Sequence, residues 1–193
     1  MRQSMLRKAD ESARVARQLI ERDADSLVAC VQRMAHAFSH DGRLLTMGNG
    51  GSACDALHIA VEFQHPILEK RRAIPAIALP ADVATLTAIG NDTDFTLVFS
   101  EQLRLHGQPN DVALGISTSG QSANVARGLK QAREMGMLTV AFAGRDGGQL
   151  IDIAEYCFVV PSFSIHRIQE AHTLLLHLLW DQVHVALGEK DVL

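Results

Sequence analysis

His58 and Glu62 stand four residues apart in the segment LHIAVEF. On a helix such residues share a face, so an imidazole and a carboxylate there can jointly hold a divalent cation or divide acid and base work. The same spacing also occurs as a plain surface pair. The apolar neighbours Ala60, Val61 and Phe63 favour a helix packed on several sides, with the pair facing a cleft. A second group of candidates lies far downstream in RIQEAHTLLLHLLW, which carries Gln169, Glu170, His172 and His177. His177 interrupts the apolar run from Leu174 to Leu179, where a histidine is commonly a core residue. At roughly 100° per residue, His172 and His177 lie about −60° and +80° from Gln169, so helix geometry does not choose between them. The remaining histidines (His36, His40, His65, His106, His166 and His184) show no ligand spacing. Cys30, Cys54 and Cys157 form no paired motif, and read as buried small hydrophobes.

Three polar segments look equipped to bind a ligand. Gly48-Asn49-Gly50-Gly51-Ser52 joins an apolar run to a helical one. Its glycines let the backbone approach a ligand, and a helix start favours an anion. It is neither GxGxxG nor a nucleotide P-loop; its plainest use is a tight turn with Ser52 as helix cap. Ser117-Thr118-Ser119-Gly120-Gln121-Ser122 offers four hydroxyls before the next helix. Hydroxyl and backbone donors at a helix start suit a phosphate monoester, and the absence of lysine argues against ATP hydrolysis. Ser122 could serve simply as a cap, but one cap does not require four hydroxyls. Gly90-Asn91-Asp92 reads as a turn at a strand–helix boundary.

The elements that must position these groups follow from periodicity. The first forty residues read as two helices, with apolar stripes Met5, Ala9, Ala13, Ala16, Ile20 and Leu27, Cys30, Val31, Met34, Phe38. Strands are expected at 43–47, 75–79, 111–116, 137–143 and 156–160. Helices are expected at 52–63, 84–89, 94–105, 123–135 and 167–187. Apolar strands separated by helices imply parallel pairing with both faces covered. The expected fold is a doubly wound α/β three-layer sandwich around a five-stranded parallel sheet, with extra helices at both termini. Ligands in such sheets bind outside the carboxyl ends of the strands.

The 193 residues suit one domain, expected to span 1–193, with residues 1–41 as helices packed on it and at an oligomer interface. The formal charge of −4 argues against a general nucleic-acid binder. With 47% hydrophobic and 21% charged residues, disorder is excluded as the main state. No apolar run reaches the roughly 20 residues of a membrane helix, and the first residues lack a secretory pattern. A soluble, cytoplasmic protein without nucleic-acid or membrane partners is expected.

Four segments together resemble one family. GNGGSACDALHIAVEF (48–63), AIGNDTDF (88–95), LGISTSGQSANV (114–125) and RIQEAHTLLLH (167–177) are similar to the bacterial phosphoheptose isomerases, which are sugar-isomerase (SIS) domain proteins; AGRDGGQL (143–150) fits as well. The resemblance covers nearly the whole chain in order. It implies the SIS fold, a homotetramer with active sites at subunit contacts, and one divalent metal per subunit, usually zinc. The implied metal ligands are His58, Glu62, Gln169 and His177; the resemblance, not periodicity, selects His177 over His172. The implied substrate contacts are Asn49, Gly50, Gly51, Glu62, Asn91, Asp92, Ser117, Thr118, Ser119, Ser122 and Gln169. Glu62 and His177 are the implied proton-transfer residues. The implied reaction converts sedoheptulose 7-phosphate to a mannoheptose 7-phosphate through an enediol, for heptose precursor biosynthesis.

The chain departs from the family's habits in two places. Many relatives carry an Arg four residues after the helix Glu, where this chain has Pro66 within FQHPILEKRR; Arg71 keeps a positive charge nearby. Relatives also often have an Asp shortly before the RIQE-like segment, where this chain reads PSFSIHRIQE. These departures leave isomerisation of another phosphosugar as a second reading. A non-catalytic SIS protein that binds the replication initiator is a third, and the presence of Glu62, Gln169 and His177 argues against it. A phosphosugar-sensing regulator is a fourth, without a visible DNA-binding segment.

Overall fold

The computed structural model describes residues 1–67 and 71–191. Leu68, Glu69 and Lys70 of the FQHPILEKRR segment, and the last two residues of the expected domain, lie outside the described residues.

The N-terminal segment is one helix, α1 (Arg2–Ser39), where two were expected. Ile20 and Leu27 are seven residues apart, close to two full helical turns, so the two apolar stripes are one stripe. No glycine or proline interrupts it, and the aspartates of RDAD tilt propensity without breaking the chain. Val15, Leu19, Cys30, Val31, Met34 and Phe38 are buried along it.

Five strands follow: β1 (Leu44–Gly48), β2 (Ala76–Ala78), β3 (Val112–Ser117), β4 (Leu138–Gly144) and β5 (Tyr156–Val160). All pair in parallel in the order β2-β1-β3-β4-β5. The expected doubly wound five-stranded sheet is therefore present. The helices after α1 are α2 (Gly51–Gln64), α3 (Val83–Asp92), α4 (Val98–His106), α5 (Ala123–Glu134), the single turn α6 (Leu150–Ile153) and α7 (Ile165–Ala186).

The strands divide their side chains between two cores, as a period of two requires. Leu44, Leu114, Ile116, Val140 and Phe142 face a layer holding α1, α2 and α7, with Leu19, Ile59, Phe63 and Leu175. Leu45, Met47, Ala113 and Ala141 face α4, α5 and α6, with Phe99, Leu103, Leu129 and Leu150. Because β1 leads outward to β2 and β3 returns on its other side, the strand order reverses between β1 and β3. That reversal opens a crevice at their carboxyl ends, where ligands sit in open α/β sheets. The segments 48–52 and 117–122 are the two walls of that crevice.

Candidate active site

The β1 wall is set by Gly50, which has φ +54° and stands as the N-cap of α2. Ser52 is buried in the first turn and is not the cap, contrary to expectation. The cap offers no side-chain acceptor, and the Ser52 and Ala53 N–H groups bond the Asn49 and Gly50 carbonyls at 3.0 Å, which leaves the Gly51 N–H at the start of α2 for an anion. The side chain of Asn49 exchanges two hydrogen bonds with that of Asn124, both 2.8 Å. Asn124, which the sequence did not single out, is buried in the first turn of α5. The pair of amides joins the β1 wall to the β3 wall.

On the β3 wall the hydroxyls face one another. Ser117 Oγ lies 2.9 Å from Ser122 Oγ and 3.4 Å from Ser119 Oγ, and Ser119 Oγ accepts from the Gln121 N–H at 3.2 Å. Thr118 is half-buried between them. Ser122 occupies the N-cap position of α5, yet its hydroxyl turns to Ser117 and makes no cap bond. The start of α5 is thus left with hydroxyls and unpaired N–H groups together. Gly120 has φ +66°, and a Cβ there would sit 2.1 Å from the Gly147 carbonyl oxygen. The Gln149 N–H donates to the Gly120 carbonyl at 3.1 Å, so the 146–149 turn clamps the loop from behind.

Gly90, Asn91 and Asp92 do not form a strand-end loop. They are the last turn of α3, which Asp82 caps by accepting from the Thr85 N–H. A glycine inside a helix costs only about 1 kcal/mol, which the Asp82 cap and the turns before Gly90 offset. Asn91 donates to Asp92 at 2.7 Å, and the hydrogen bonds of the described residues join these two to no other predicted site residue.

The ionisable constellation lies between α2 and α7. His58 Nε2 is 3.4 Å from Glu62 Oε1, and the rings of His58 and His177 meet edge to face at 4.9 Å between centroids. One donor atom from each of His58, Glu62 and His177 falls within 4.8 Å of the others. Two imidazoles and a carboxylate that close, partly shielded by two helices, form a donor set of the kind that catalytic zinc sites use, with room for a further ligand. Asp55 Oδ2, one turn before His58, is buried with no partner among the described residues, and burial pushes that carboxyl up to about 6 against the pull of His58. Asp55, three residues before His58, carries no spacing signal of its own.

Gln169 lies on the same helix as His177, eight residues earlier and about 12 Å along the axis. Its amide rests on the start of α2, where a Cβ on Gly51 would come 2.2 Å from Gln169 Nε2. Gly51 therefore leaves room for Gln169, as well as for a ligand. His172 and His177 have opposite surroundings. His172 is fully buried and bonds the Ala143 carbonyl through Nε2 at 3.0 Å, and desolvation pulls its pKa down to about 4. The core histidine of α7 is therefore His172, while His177 is exposed within the cluster.

Arg71 does not offer a free positive charge. It is buried and donates to Asp181 at 2.6 Å. Among the cysteines, Cys30 is buried and Cys157 half-buried, but Cys54 is exposed on α2, contrary to expectation.

The site's two walls and its helix pair sit in a chain that a family model described as SIS domain matches over residues 9–144. The phosphoheptose isomerase of Aquifex aeolicus is 45% identical over 181 residues, covering 94% of this chain and 95% of that one. Among solved structures, the phosphoheptose isomerase of Neisseria gonorrhoeae superposes with a TM-score of 0.87 at 38% identity, covering 94% of this chain and 97% of that one. The Francisella tularensis phosphoheptose isomerase gives 0.80 at 32% identity, over 94% and 98% of the two chains.

Proposed function

The chain belongs to the phosphoheptose isomerase family of SIS-domain proteins, and from that premise we propose that it converts sedoheptulose 7-phosphate to D-glycero-D-manno-heptose 7-phosphate through an enediol, in heptose precursor biosynthesis. The observation that carries this reading is the convergence of His58, Glu62 and His177 from two helices of which one starts in the ligand crevice.

In this reading the hydroxyl loop (Ser117, Thr118, Ser119, Ser122) and the start of α5 hold the phosphate. Asn49, Gly50, Gly51, Asn91, Asp92 and Gln169 contact the sugar. Grip on the remote phosphate fixes the reacting carbons, so binding energy is used for orientation. Glu62 takes the proton from C1 while the C2 carbonyl oxygen gains one, which leaves the C1–C2 enediol. His177 returns a proton to C2 as the O1 hydroxyl gives its own up, and the aldose results. His58, Glu62, Gln169 and His177 would hold one divalent ion per subunit, zinc by the family's habit. The chemistry such an ion supplies when bound is Lewis-acid stabilisation of negative charge on the sugar oxygens.

We further read the chain as one SIS domain over 1–193, assembled as a cytoplasmic homotetramer with active sites at subunit contacts. Exposed Leu57, Val61 and Leu174 beside the cluster support a contact there, as does an apolar cleft of about 350 Å³ between α1 and α7. None of the described helices is long and apolar enough to cross a membrane.

The test is to incubate the protein with sedoheptulose 7-phosphate and with other ketose phosphates and to follow aldose formation by NMR. Conversion of the seven-carbon ketose with the highest kcat/KM is expected. Inertness toward it alongside turnover of another member would favour the second reading, a different phosphosugar, which the pairing of Arg71 with Asp181 and the presence of Pro66 motivate.

A further inference from the structure

The end of α2 poses a hydrogen-bonding problem at the residue that matters most. In a regular helix the Glu62 carbonyl accepts from the N–H of residue 66. Residue 66 is proline, which has no N–H and turns the residue before it away from helical geometry. His65 accordingly has φ −136° and ψ 72°, and α2 stops at Gln64, two residues beyond Glu62. Val61 keeps its regular helical donor, the His65 N–H at 2.8 Å, but the next two carbonyls find others. Phe63 accepts from the Ile74 N–H at 2.8 Å. Glu62 accepts from the indole Nε1–H of Trp180, also at 2.8 Å.

Trp180 is itself held rigidly. It is 4% exposed, its ring lies 4.6 Å from the Arg71 guanidinium carbon, and the His184 ring packs 5.0 Å away. Arg71 is fixed in turn by Asp181 at 2.6 Å and by the Lys190 carbonyl at 3.2 Å. The stack thus places a neutral donor where the helix lacks one. Trp180 also stands three residues after His177 on α7, on a neighbouring part of the same helix face. The indole–carbonyl bond therefore ties the backbone of Glu62 to α7 one turn from His177.

We infer that Trp180 is a positioning residue: its indole N–H replaces the helical donor that Pro66 removes, and so sets the Glu62 carboxylate against His177. Arg71 and Asp181 serve by fixing the indole. This deepens the proposed isomerase reading and rests on it for the role of Glu62. Without the bond, the last turn of α2 is free to fray, and displacement of a reacting group by about 1 Å can cost up to 10²-fold in rate.

The first test is Trp180→Phe, which keeps an aromatic ring for Arg71 and removes only the donor. A tenfold or greater fall in kcat is expected, with KM nearly unchanged and a tenfold or weaker affinity for Zn²⁺ measured by competition with a chelator. Adding Pro66→Ala returns an N–H to residue 66 and lets α2 continue, so the double variant should regain much of the lost kcat and metal affinity. A Trp180→Phe protein that loses melting temperature but keeps kcat and metal affinity would show a packing role only and overturn the proposal. Failure of Pro66→Ala to restore either quantity would do the same. A second measurement needs no variant, because Trp180 is the chain's single tryptophan. Its one indole ¹H–¹⁵N resonance should shift, and its hydrogen exchange should slow, when Zn²⁺ is added; an indifferent resonance counts against the inference. These binding readouts are independent of turnover. If Glu62→Gln keeps full activity while Trp180→Phe still weakens Zn²⁺ binding, the isomerase role of Glu62 fails and the positioning role survives.

Discussion

The hydroxyl loop after β3 and the His–Glu–His cluster between α2 and α7 are held in place by different means. The loop is local: Ser117 to Ser122 are contiguous, start at a strand end, and are clamped by backbone contact between Gly120 and the 147–149 turn. The cluster is assembled from afar: Glu62 and His177 meet only because α2 and α7 pack side by side on one face of the sheet. A loop made of backbone and small hydroxyls binds a group that stays unchanged through a reaction. Side chains brought together by helix packing act where charge and protons move. Damage should therefore divide cleanly, with loop changes weakening binding and helix-pair changes slowing the reaction or loosening the metal.

The largest effect expected from this division is that of Glu62→Gln. Loss of a general base costs on the order of 10²–10⁴-fold in rate. The amide keeps the volume of the carboxylate, so KM should stay near the parent value, and in the presence of chelator, where no ion stabilises either protein, the melting temperatures of variant and parent should agree. A kcat within a few-fold of the parent would remove Glu62 as the base and merge the two regions into one binding surface.

Metal removal comes next. An ion shared by His58, Glu62 and His177 joins two helices, so it should stabilise the fold as well as support turnover. At 100 times its Kd a ligand contributes about 2.7 kcal/mol, which for a chain of this size is a fall of roughly 5–10 °C in Tm on chelation. Zn²⁺ should restore both Tm and activity, and His177→Ala should abolish the Tm response. Loop variants should respond to chelator as the parent does. A chelator-induced fall that persists undiminished in His177→Ala would place the ion elsewhere.

The difference between the two regions also explains what could be read from the sequence. The loop declared itself by composition, and the strand–loop–helix order located it. His58 and Glu62 were visible as a pair because one helix carries both. The choice of His177 over His172 was not visible in periodicity, since both lie near Gln169 on the helical wheel, and it came from family resemblance alone. Burial separates them: His172 bonds the Ala143 carbonyl inside the core, while His177 is exposed. The single α1 was misread because two stretches of stripe, separated by a polar patch, look like two helices until their phase is compared. The turn expected at Gly90-Asn91-Asp92 is instead the end of a helix, because Asp82 caps a helix that runs through a sequence whose composition signals a turn. Trp180 and Asn124 gave no signal, because their partners, a carbonyl in α2 and an amide in the β1 loop, exist only in the folded chain.

A smaller effect is expected from His172, which fastens α7 to β4 and not to α2. Its pKa of about 4 in the fold lies below the ordinary imidazole value of 6.5, so the unfolded chain takes up the proton first as pH falls. The stability it permits is complete above about pH 6.5 and is lost on acidification toward pH 4. Between pH 7 and pH 5 the loss from this group is roughly 2 kcal/mol. His172→Gln keeps an N–H for the Ala143 carbonyl and does not titrate, so its Tm should be flatter over that range. An unchanged slope would mean that the acid sensitivity does not arise at His172, and that the two histidines of α7 are not distinct in the way their burial implies.

The smallest effect should come from the loop, and it completes the division. Ser119→Ala with Ser122→Ala removes two hydroxyls from the proposed phosphate cradle but leaves the backbone N–H groups at the start of α5. Those groups and the helix dipole retain most of the attraction for a dianion. The expected change is about a tenfold rise in KM, equivalent to about 1.4 kcal/mol, with kcat held within a few-fold. Inorganic phosphate should compete with substrate in the parent, and its inhibition constant should rise in parallel with KM in the variant. That parallel is the decisive part of the measurement. If KM rises while phosphate inhibition is unaltered, the hydroxyls contact the sugar and the phosphate sits elsewhere in the crevice. If kcat falls with KM unchanged, the loop acts on the reacting carbons, and the separation between a binding wall and a reacting helix pair does not hold.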